Sequence, residues 1–255
     1  MSMGFGAIVI GDEIMRGKRQ DKHFAKLVEL LAARDLRLDW CEYLGDDRAR
    51  LTATLARTFA TDDIVFSFGG IGATPDDHTR QCAAAALGVP LELHPEAEAE
   101  IRGRFGAETN AQRLKMGEFP RGAAIVPNLY NRIPGFSFGR HYFVPGFPVM
   151  AWPMIEWVLD THYAHLFHKE PEADASIMVY GAAESTLTPL MEAIEARYAA
   201  IKVFSLPSIG EDGKRRHIEL GVRGVPANVA PAMAEIESAL TAMRVEWMRP
   251  VAGER

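Results

Sequence analysis

Cysteine is scarce in this chain: of 255 residues, only Cys41 and Cys82 carry a thiol. Two thiols build neither a zinc cage nor a disulfide framework, so no fold stapled by bridges or structural zinc is expected. No run approaches ~18 uninterrupted apolar residues, which excludes a helical membrane span. Lys and Arg form no dense block, and 28 of them stand against 34 Asp and Glu, a formal net charge of −6. An acidic chain of this kind is a poor partner for nucleic acid bound through its phosphates. Internal repeats are lacking too, and with them collagen and solenoid architectures. Met1 to Ile10 has neither the basic region nor the long apolar run of a secretory signal. What is present is ordinary for a globular protein, 48% hydrophobic and 24% charged residues. At this length a chain buries roughly 70–75% of its unfolded surface, enough for one large core or a large and a small one. A reduced, cytoplasmic, globular protein with no membrane partner is the expectation.

The first part of the chain alternates strand and helix. Phe5 to Ile10 is an apolar run ending in Gly11, which suits a strand buried on both faces. Asp21 is placed to cap the next helix, where Phe24, Leu27, Val28 and Leu31 fall on one face. Leu38 to Leu44 reads as a second strand, and Asp47 to Phe59 as a helix with Leu51, Leu55 and Phe59 every fourth residue. Ile64 to Phe68 opens into Gly69-Gly70-Ile71-Gly72, and a helix restarts near Asp77. This alternation predicts a parallel sheet covered on both faces. Helices over Pro95–Phe105, Asn110–Gly117 and Val149–Leu166 follow, with strands near Ala123–Val126 and Tyr142–Val144. A polar stretch at Lys169-Glu170-Pro171-Glu172 marks a boundary between domains 1–168 and 169–255. The remainder reads β-α-β-β-α: Ser176–Tyr180, Thr186–Tyr198, Ile201–Leu206, His217–Val222 and Val229–Met243. Gly210-Glu211-Asp212-Gly213 supplies turn chemistry for a hairpin between its last two strands.

The segment richest in chemistry is Gly69-Gly70-Ile71-Gly72-Ala73-Thr74-Pro75-Asp76-Asp77. It joins a strand to a helix at the carboxyl edge of a parallel sheet, where such folds bind ligands. Glycines let a backbone approach an anion closely and aim N–H groups at it, and a helix start adds partial positive charge. Thr74 is placed to donate its hydroxyl to a bound phosphate. Asp77 has two readings, a helix cap or a carboxylate that holds a divalent cation against that phosphate.

The flanking segments fall in an order shared by one family. They are Gly11-Asp12-Glu13-Ile14-Met15-x-Gly17-x-x-x-Asp21, the run Gly69 to Thr79, Asn110 with Arg113-Leu114-x-Met116, Pro120-x-Gly122-Ala123, Asn128, Pro134-Gly135-Phe136 and Pro145-Gly146-x-Pro148. On these residues the chain resembles the molybdopterin-binding (molybdenum-cofactor biosynthesis) domain, specifically the amino-terminal domain of the CinA (competence/damage-inducible protein A) family. The resemblance covers about residues 4–167. The second domain looks like the KH-like module of the same family, and the deamidase domain of its full-length members has no counterpart before Arg255. The resemblance implies a three-layer α/β/α fold with a pocket at the sheet's carboxyl edge, followed by a small α+β module. It implies molybdopterin as a ligand, or metal-dependent hydrolysis of nucleotide pyrophosphates such as ADP-ribose, and self-association as a homo-oligomer. By motif position, Asp77 and Asp46 are the implied catalytic carboxylates, together holding Mg²⁺ or a similar divalent cation. For Asp46 the alternative is an ordinary cap in Gly45-Asp46-Asp47. Gly69, Gly70, Gly72, Thr74, Asp12, Glu13, Pro145 and Gly146 make up the expected binding set for a small phosphorylated ligand.

Four departures from the family pattern bear on that pocket. Phe68 stands where Thr or Ser is usual, removing a hydroxyl. His23 replaces Asn, Asn131-Arg132-Ile133 replaces Gly-Thr-Ala, and Val149-Met150 replaces Glu. Other tempting residues read as structural. His162, His165 and His168 span roughly 120° of helix arc, wide for one ion. Cys41 and Cys82 lie in a strand and an alanine-rich helix, where a thiol is inert packing, and Trp152 and Trp157 suit a core. Lys214-Arg215-Arg216 is a solvated hairpin tip, because the nearby Gly210-x-x-Gly213 lies between strands, whereas a KH clamp needs it between helices.

Overall fold

The computed structural model describes residues 3–169, 172–210 and 215–250. The chain divides into two compact units, Met1–Phe167 and His168–Arg255. The first unit runs β1 (Phe5–Ile10), α1 (Asp12–Met15), α2 (His23–Ala32), β2 (Trp40–Leu44), α3 (Arg48–Phe59), β3 (Ile64–Phe68) and α4 (Thr79–Leu87). It continues through β4 (Leu91–Leu93), α5 (Pro95–Phe105), α6 (Ala111–Leu114), β5 (Glu118–Pro120), β6 (Ala124–Val126), β7 (Gly135–Phe138), β8 (His141–Val144) and α7 (Pro148–His162). Six strands form one sheet in the order β2-β1-β3-β8-β7-β6. The first four are mutually parallel, and β7 and β6 continue the sheet antiparallel. Strands β4 and β5 pair separately as a short antiparallel ribbon.

The period of two along each strand sorts the apolar residues into two cores. Phe5, Ala7 and Val9 of β1 and Phe66 and Phe68 of β3 pack with Leu27 and Leu31 of α2 and Met154 and Val158 of α7. Ile8 and Ile10 of β1 and Val65 of β3 pack on the opposite face with Leu51 and Leu55 of α3, Ala83 of α4 and Ala97 of α5. Helices therefore cover both faces of a parallel-rich sheet, the expected α/β/α arrangement. On α2 the buried stripe is His23, Leu27, Leu30 and Leu31, while Phe24 and Val28 are exposed. The apolar face read from the sequence is thus turned by about one position. Asp21 accepts from the His23 and Phe24 amides at 2.8 and 3.1 Å, as expected of a residue at this helix start.

The second unit contains β9 (Ala173–Tyr180), α8 (Glu184–Arg197), β10 (Ile201–Ser208), β11 (His217–Gly224), α9 (Pro226–Ala242) and β12 (Glu246–Met248). Its antiparallel sheet has the order β10-β11-β9-β12. Leu187 and Ile194 of α8 and Val229 and Ile236 of α9 close a core over Ile177 and Leu220. Strand β12 adds an edge to the β-α-β-β-α pattern read from the sequence. The Glu211-Asp212-Gly213 turn and Lys214 lie outside the described residues, as do Glu170 and Pro171 of the polar boundary. Among the described residues no helix is long and apolar enough to cross a membrane.

Candidate functional site

Parallel pairing brings the carboxyl ends of β1, β2, β3 and β8 to one edge of the sheet. The chain leaves these strands through Gly11, Gly45, Gly69 and Pro145, and main-chain bonds tie the exits together. The Gly11 N–H donates to Leu44 O, and the Gly69 N–H to Val144 O, each at 3.0 Å. Between the exits lies a cleft of about 500 Å³. Glu13, Asp46, Gly69, Gly70, Gly72, Thr74, Asp77, Pro145 and Gly146, all expected at the site, line it.

The glycine loop has the conformation its composition calls for. Gly69 and Gly70 have φ of +100° and +66°, values that L side chains rarely adopt. A Cβ on Gly69 would strike the Ile10 carbonyl, and one on Gly72 would strike the Asp77 carboxylate. The loop's carbonyls are held from the helix side. Thr79 Oγ1 donates to Gly69 O at 3.1 Å, the Thr79 amide to Gly70 O at 3.0 Å, Arg80 to Gly72 O at 2.6 Å and Gln112 to Ala73 O at 2.6 Å. By contrast, the main-chain N–H groups of Gly70, Ile71, Gly72 and Ala73 have no hydrogen-bond partner among the described residues. All four residues line the cleft. Four consecutive free donors are the raw material of an anion cradle.

Of the four acidic residues expected at the site, Glu13, Asp46 and Asp77 line the cleft and Asp12 does not. Asp77 is not the cap of α4, which begins at Thr79 with His78 preceding it and no side-chain cap. Its Oδ2 instead accepts from the Thr74 amide at 2.8 Å and the Thr74 hydroxyl at 2.5 Å. The Thr74 hydroxyl, expected to donate to a phosphate, donates within the loop in this structure. At the second strand's exit Asp47 caps α3, accepting from the Arg50 amide at 2.8 Å. That leaves Asp46 free of capping duty. Asp46 Oδ2 accepts from the Asp12 amide at 2.9 Å and its own amide donates to Asp12 Oδ1 at 3.2 Å, a reciprocal lock between the β1 and β2 exits. Asp12 does not line the cleft: its carboxylate bonds the Asp46 amide and pairs with Arg16 at 2.6 Å. Burial pushes the Asp46 carboxyl above the usual carboxylate range, the bond from the Asp12 amide works against this, and Asp12, Glu13 and Asp76 push it further up.

Charge around the cleft is lopsided. Glu13, Asp46, Asp76 and Asp77 stand against Arg19, the one Lys or Arg among its lining residues. A cleft of this sign repels a phosphate unless a cation enters with it. No three His, Cys, Asp or Glu side chains gather as a ready metal cage among the described residues. The two carboxylates of the expected metal pair, Asp46 and Asp77, both line the cleft, and Mg²⁺ takes one or two protein carboxylates and completes its shell with water and substrate phosphate.

The departures from the family pattern resolve into two groups. Met150, Asn131 and Ile133 do line the cleft, and Asn131 Nδ2 lies 3.2 Å from the Met150 sulfur. Phe68 and Arg132 do not. Phe68 is buried on the α2 side of the sheet, where its ring stacks on His23 with centroids 4.5 Å apart. Arg132 turns away to Glu100 at 2.8 Å. His23 Nε2 reaches Gly146 O at 3.2 Å, so this pair supports the cleft from beneath. Burial lowers the His23 pKa, against the Gly146 bond and Asp21.

Residues overlooked in the sequence are Arg19, Arg80 and Gln112, while Thr79 is read there only as the end of the family run, without a role. The signal for Arg80 was its place one turn past the glycine loop, where a long cation reaches loop carbonyls. The discounted residues behave as packing. His162 stacks on Tyr142, with ring centroids 5.9 Å apart, and Trp152 and Trp157 pack against the first core. Burial, reinforced by Asp21, pushes the Cys41 thiol up to about 11, and burial raises Cys82. Neither is a thiolate near neutral pH.

Similarity to known proteins agrees with this geometry. The chain is 32% identical over 237 residues to a CinA-like protein of Anaeromyxobacter sp. (strain Fw109-5), covering 84% of this chain and 57% of that protein. To a CinA-like protein of Anaeromyxobacter dehalogenans it is 34% identical over 197 residues, 72% of this chain and 48% of that one. The chain thus spans about half the length of these curated relatives. The crystal structure of the protein CinA with unknown function from Thermoplasma acidophilum superposes with a TM-score of 0.56 at 24% identity, over 62% of this chain and 98% of that one. That likeness establishes the fold. Residues 6–165 match the family described as "Probable molybdopterin binding domain", and the chain belongs to that family.

Proposed function

We propose that the cleft hydrolyses a nucleotide pyrophosphate of the ADP-ribose type with the help of a divalent metal. The observation that carries this reading is the pairing of four unpartnered amides, Gly70 to Ala73, with Asp46 and Asp77 around one cleft. The amides hold a phosphate. Asp46 and Asp77 would hold the cation, which when bound supplies a Lewis acid for the phosphate oxygens and a more acidic water. Arg19 adds a positive charge on the cleft wall. Thr79, Arg80 and Gln112 fix the loop carbonyls, so the donors are organised before the ligand arrives. Water adds across the P–O–P bridge, giving two phosphomonoesters. Incubation with ADP-ribose, FAD or an adenylylated pterin in Mg²⁺, Mn²⁺ or Co²⁺ tests the proposal, and no hydrolysis of any of them under any metal ends it.

A second reading is a binder of molybdopterin or a related pterin nucleotide without chemistry of its own. It is favoured by Met150, Asn131 and Ile133, which line the cleft where the family pattern has smaller or acidic residues. Thermal stabilisation by such a ligand without product formation is its signature.

A further inference from the structure

The Gly69–Asp77 loop has a second face. A recess of about 330 Å³ opens there, walled by Ala73, Thr74 and Asp77, which it shares with the cleft. Its charge is opposite in sign. Arg48, the first residue of α3, Arg80 of α4 and Lys115 beyond α6 face it, against the single carboxylate of Asp77. Arg48 and Lys115 form no ion pair among the described residues.

Unsatisfied polar atoms concentrate here as well. Arg80 is only 2% exposed. Its terminal nitrogens bond the carbonyls of Gly72, Lys115 and Glu118, but Nε–H is buried without a partner. His78 Nδ1 and Gln81 Oε1 are also buried and unpartnered, and the Gln81 amide exchanges acceptor for donor by a half-turn of its last bond. Of seven such atoms among the described residues, three belong to residues that line this recess. A buried polar atom left unpaired costs about 1–3 kcal/mol, so three on residues around one basic hollow mark it as a place short of polar partners.

We propose that this recess is the subsite for a second phosphoryl group, belonging to a ligand whose first phosphate lies on the Gly70–Ala73 amides. The oligophosphate crosses the loop at Ala73–Thr74, from the acidic cleft into the basic recess. Arg48 and Lys115 contact the outer phosphate through charge-assisted bonds. A nucleoside monophosphate has nothing to place there, so the recess selects for a diphosphate. This rests on the phosphate-binding reading of the cleft.

The test is calorimetric titration of the full chain with AMP and ADP, at fixed ionic strength and Mg²⁺. Three proteins are compared: unmodified, Arg48→Ala/Lys115→Ala, and Arg37→Ala/Arg140→Ala. The last removes the same charge near the starts of β2 and β8, at the opposite end of the sheet. Losing two charge-assisted contacts weakens ADP at least about tenfold in the Arg48/Lys115 variant, while AMP changes less than about twofold. The control pair leaves both affinities within about twofold. Unchanged ADP affinity, an equal loss for AMP, or an equal loss in the control overturns the subsite while the cleft reading stands. If the unmodified protein binds neither nucleotide, the cleft reading falls and takes the subsite with it.

Discussion

The stacked pair His23–Phe68 occupies two positions where the family pattern has Asn and Thr or Ser, and the contact gives a measurable reason for both changes occurring together. The Phe68 ring is buried, 1% exposed, and lies 4.5 Å from the His23 ring at an interplanar angle of 24°. Replacing Phe68 by Leu keeps most of the apolar volume and costs about 1–2 kcal/mol from the altered packing. Replacing His23 by Asn removes the Nε2 contact to Gly146 O at 3.2 Å, about 1 kcal/mol net, and part of a buried ring. The sum is about 2–4 kcal/mol, within reach of the 5–15 kcal/mol of a typical domain, so all four proteins should fold. Once either ring is gone, the second substitution no longer breaks a ring–ring contact. The double variant should therefore be more stable than the sum by about 0.5–1.5 kcal/mol. Urea unfolding followed by tryptophan fluorescence gives the four stabilities. Trp152 packs against the same core as Phe68, and Lys26 of α2 lies over its ring, so it reports on the right unit. Additivity within about 0.3–0.5 kcal/mol would refute the coupling and make the two departures independent.

Other consequences follow from individual contacts. Asp77→Asn retains an acceptor for the Thr74 amide but loses the charge, so turnover on ADP-ribose should fall at least about 100-fold with the circular dichroism spectrum unchanged. Gly69→Ala places a Cβ against the Ile10 carbonyl at φ +100° and should cost about 2–4 kcal/mol, whereas Gly88→Ala, at φ +67° with nothing within 4 Å, should cost about 1–2, as thermal unfolding of the two variants will show. His141 is buried beside Phe59, and its pKa is pulled from 6.5 to about 4 by burial, against Asp63. Its folded-state pKa lies below the unfolded one, so stability is full above pH 6.5 and falls as the pH drops toward 4. The loss is about 3 kcal/mol at 1.36 kcal/mol per pH unit, and His141→Gln should abolish most of that slope in urea titrations at pH 7, 5.5 and 4.

Much of the first unit was legible because its signals are local and periodic. Phe5 to Ile10 and Ile64 to Phe68 are buried on both faces, so uninterrupted apolar runs mark them, and the turn to Gly69 is marked by glycine itself. What was illegible depended on partners distant in sequence. The β7 strand is four residues beginning with glycine, and it exists because Phe136 stacks on Phe143 of β8 with centroids 4.3 Å apart. Asp12 and Glu13 are neighbours in sequence, yet Asp46, 34 positions on, holds Asp12 and leaves Glu13 lining the cleft. For Asp77 the competing signals were both local. A carboxylate ahead of a helix reads as a cap, but the Thr74 amide and hydroxyl three residues back reached it first.

The buried arginine shows why composition misleads at such a site. By residue type Arg80 belongs on a surface, and its position at 2% exposure is costly unless each donor is met. Burial pulls its pKa down, with Glu118 and then Asp77 opposing that pull. Its guanidinium meets three carbonyls, of Gly72, Lys115 and Glu118, and so ties the glycine loop to the segment after α6. Holding the Gly72 carbonyl from behind keeps the opposite edge of that peptide run, with its N–H groups, free of internal partners. An anion site made of amides needs such a brace, because an unbraced glycine loop would fold its donors onto its own carbonyls. The same brace separates an acidic hollow from a basic one across a few residues of backbone. A ligand with two phosphates and a cation can satisfy both hollows at once, which a neutral ring compound cannot.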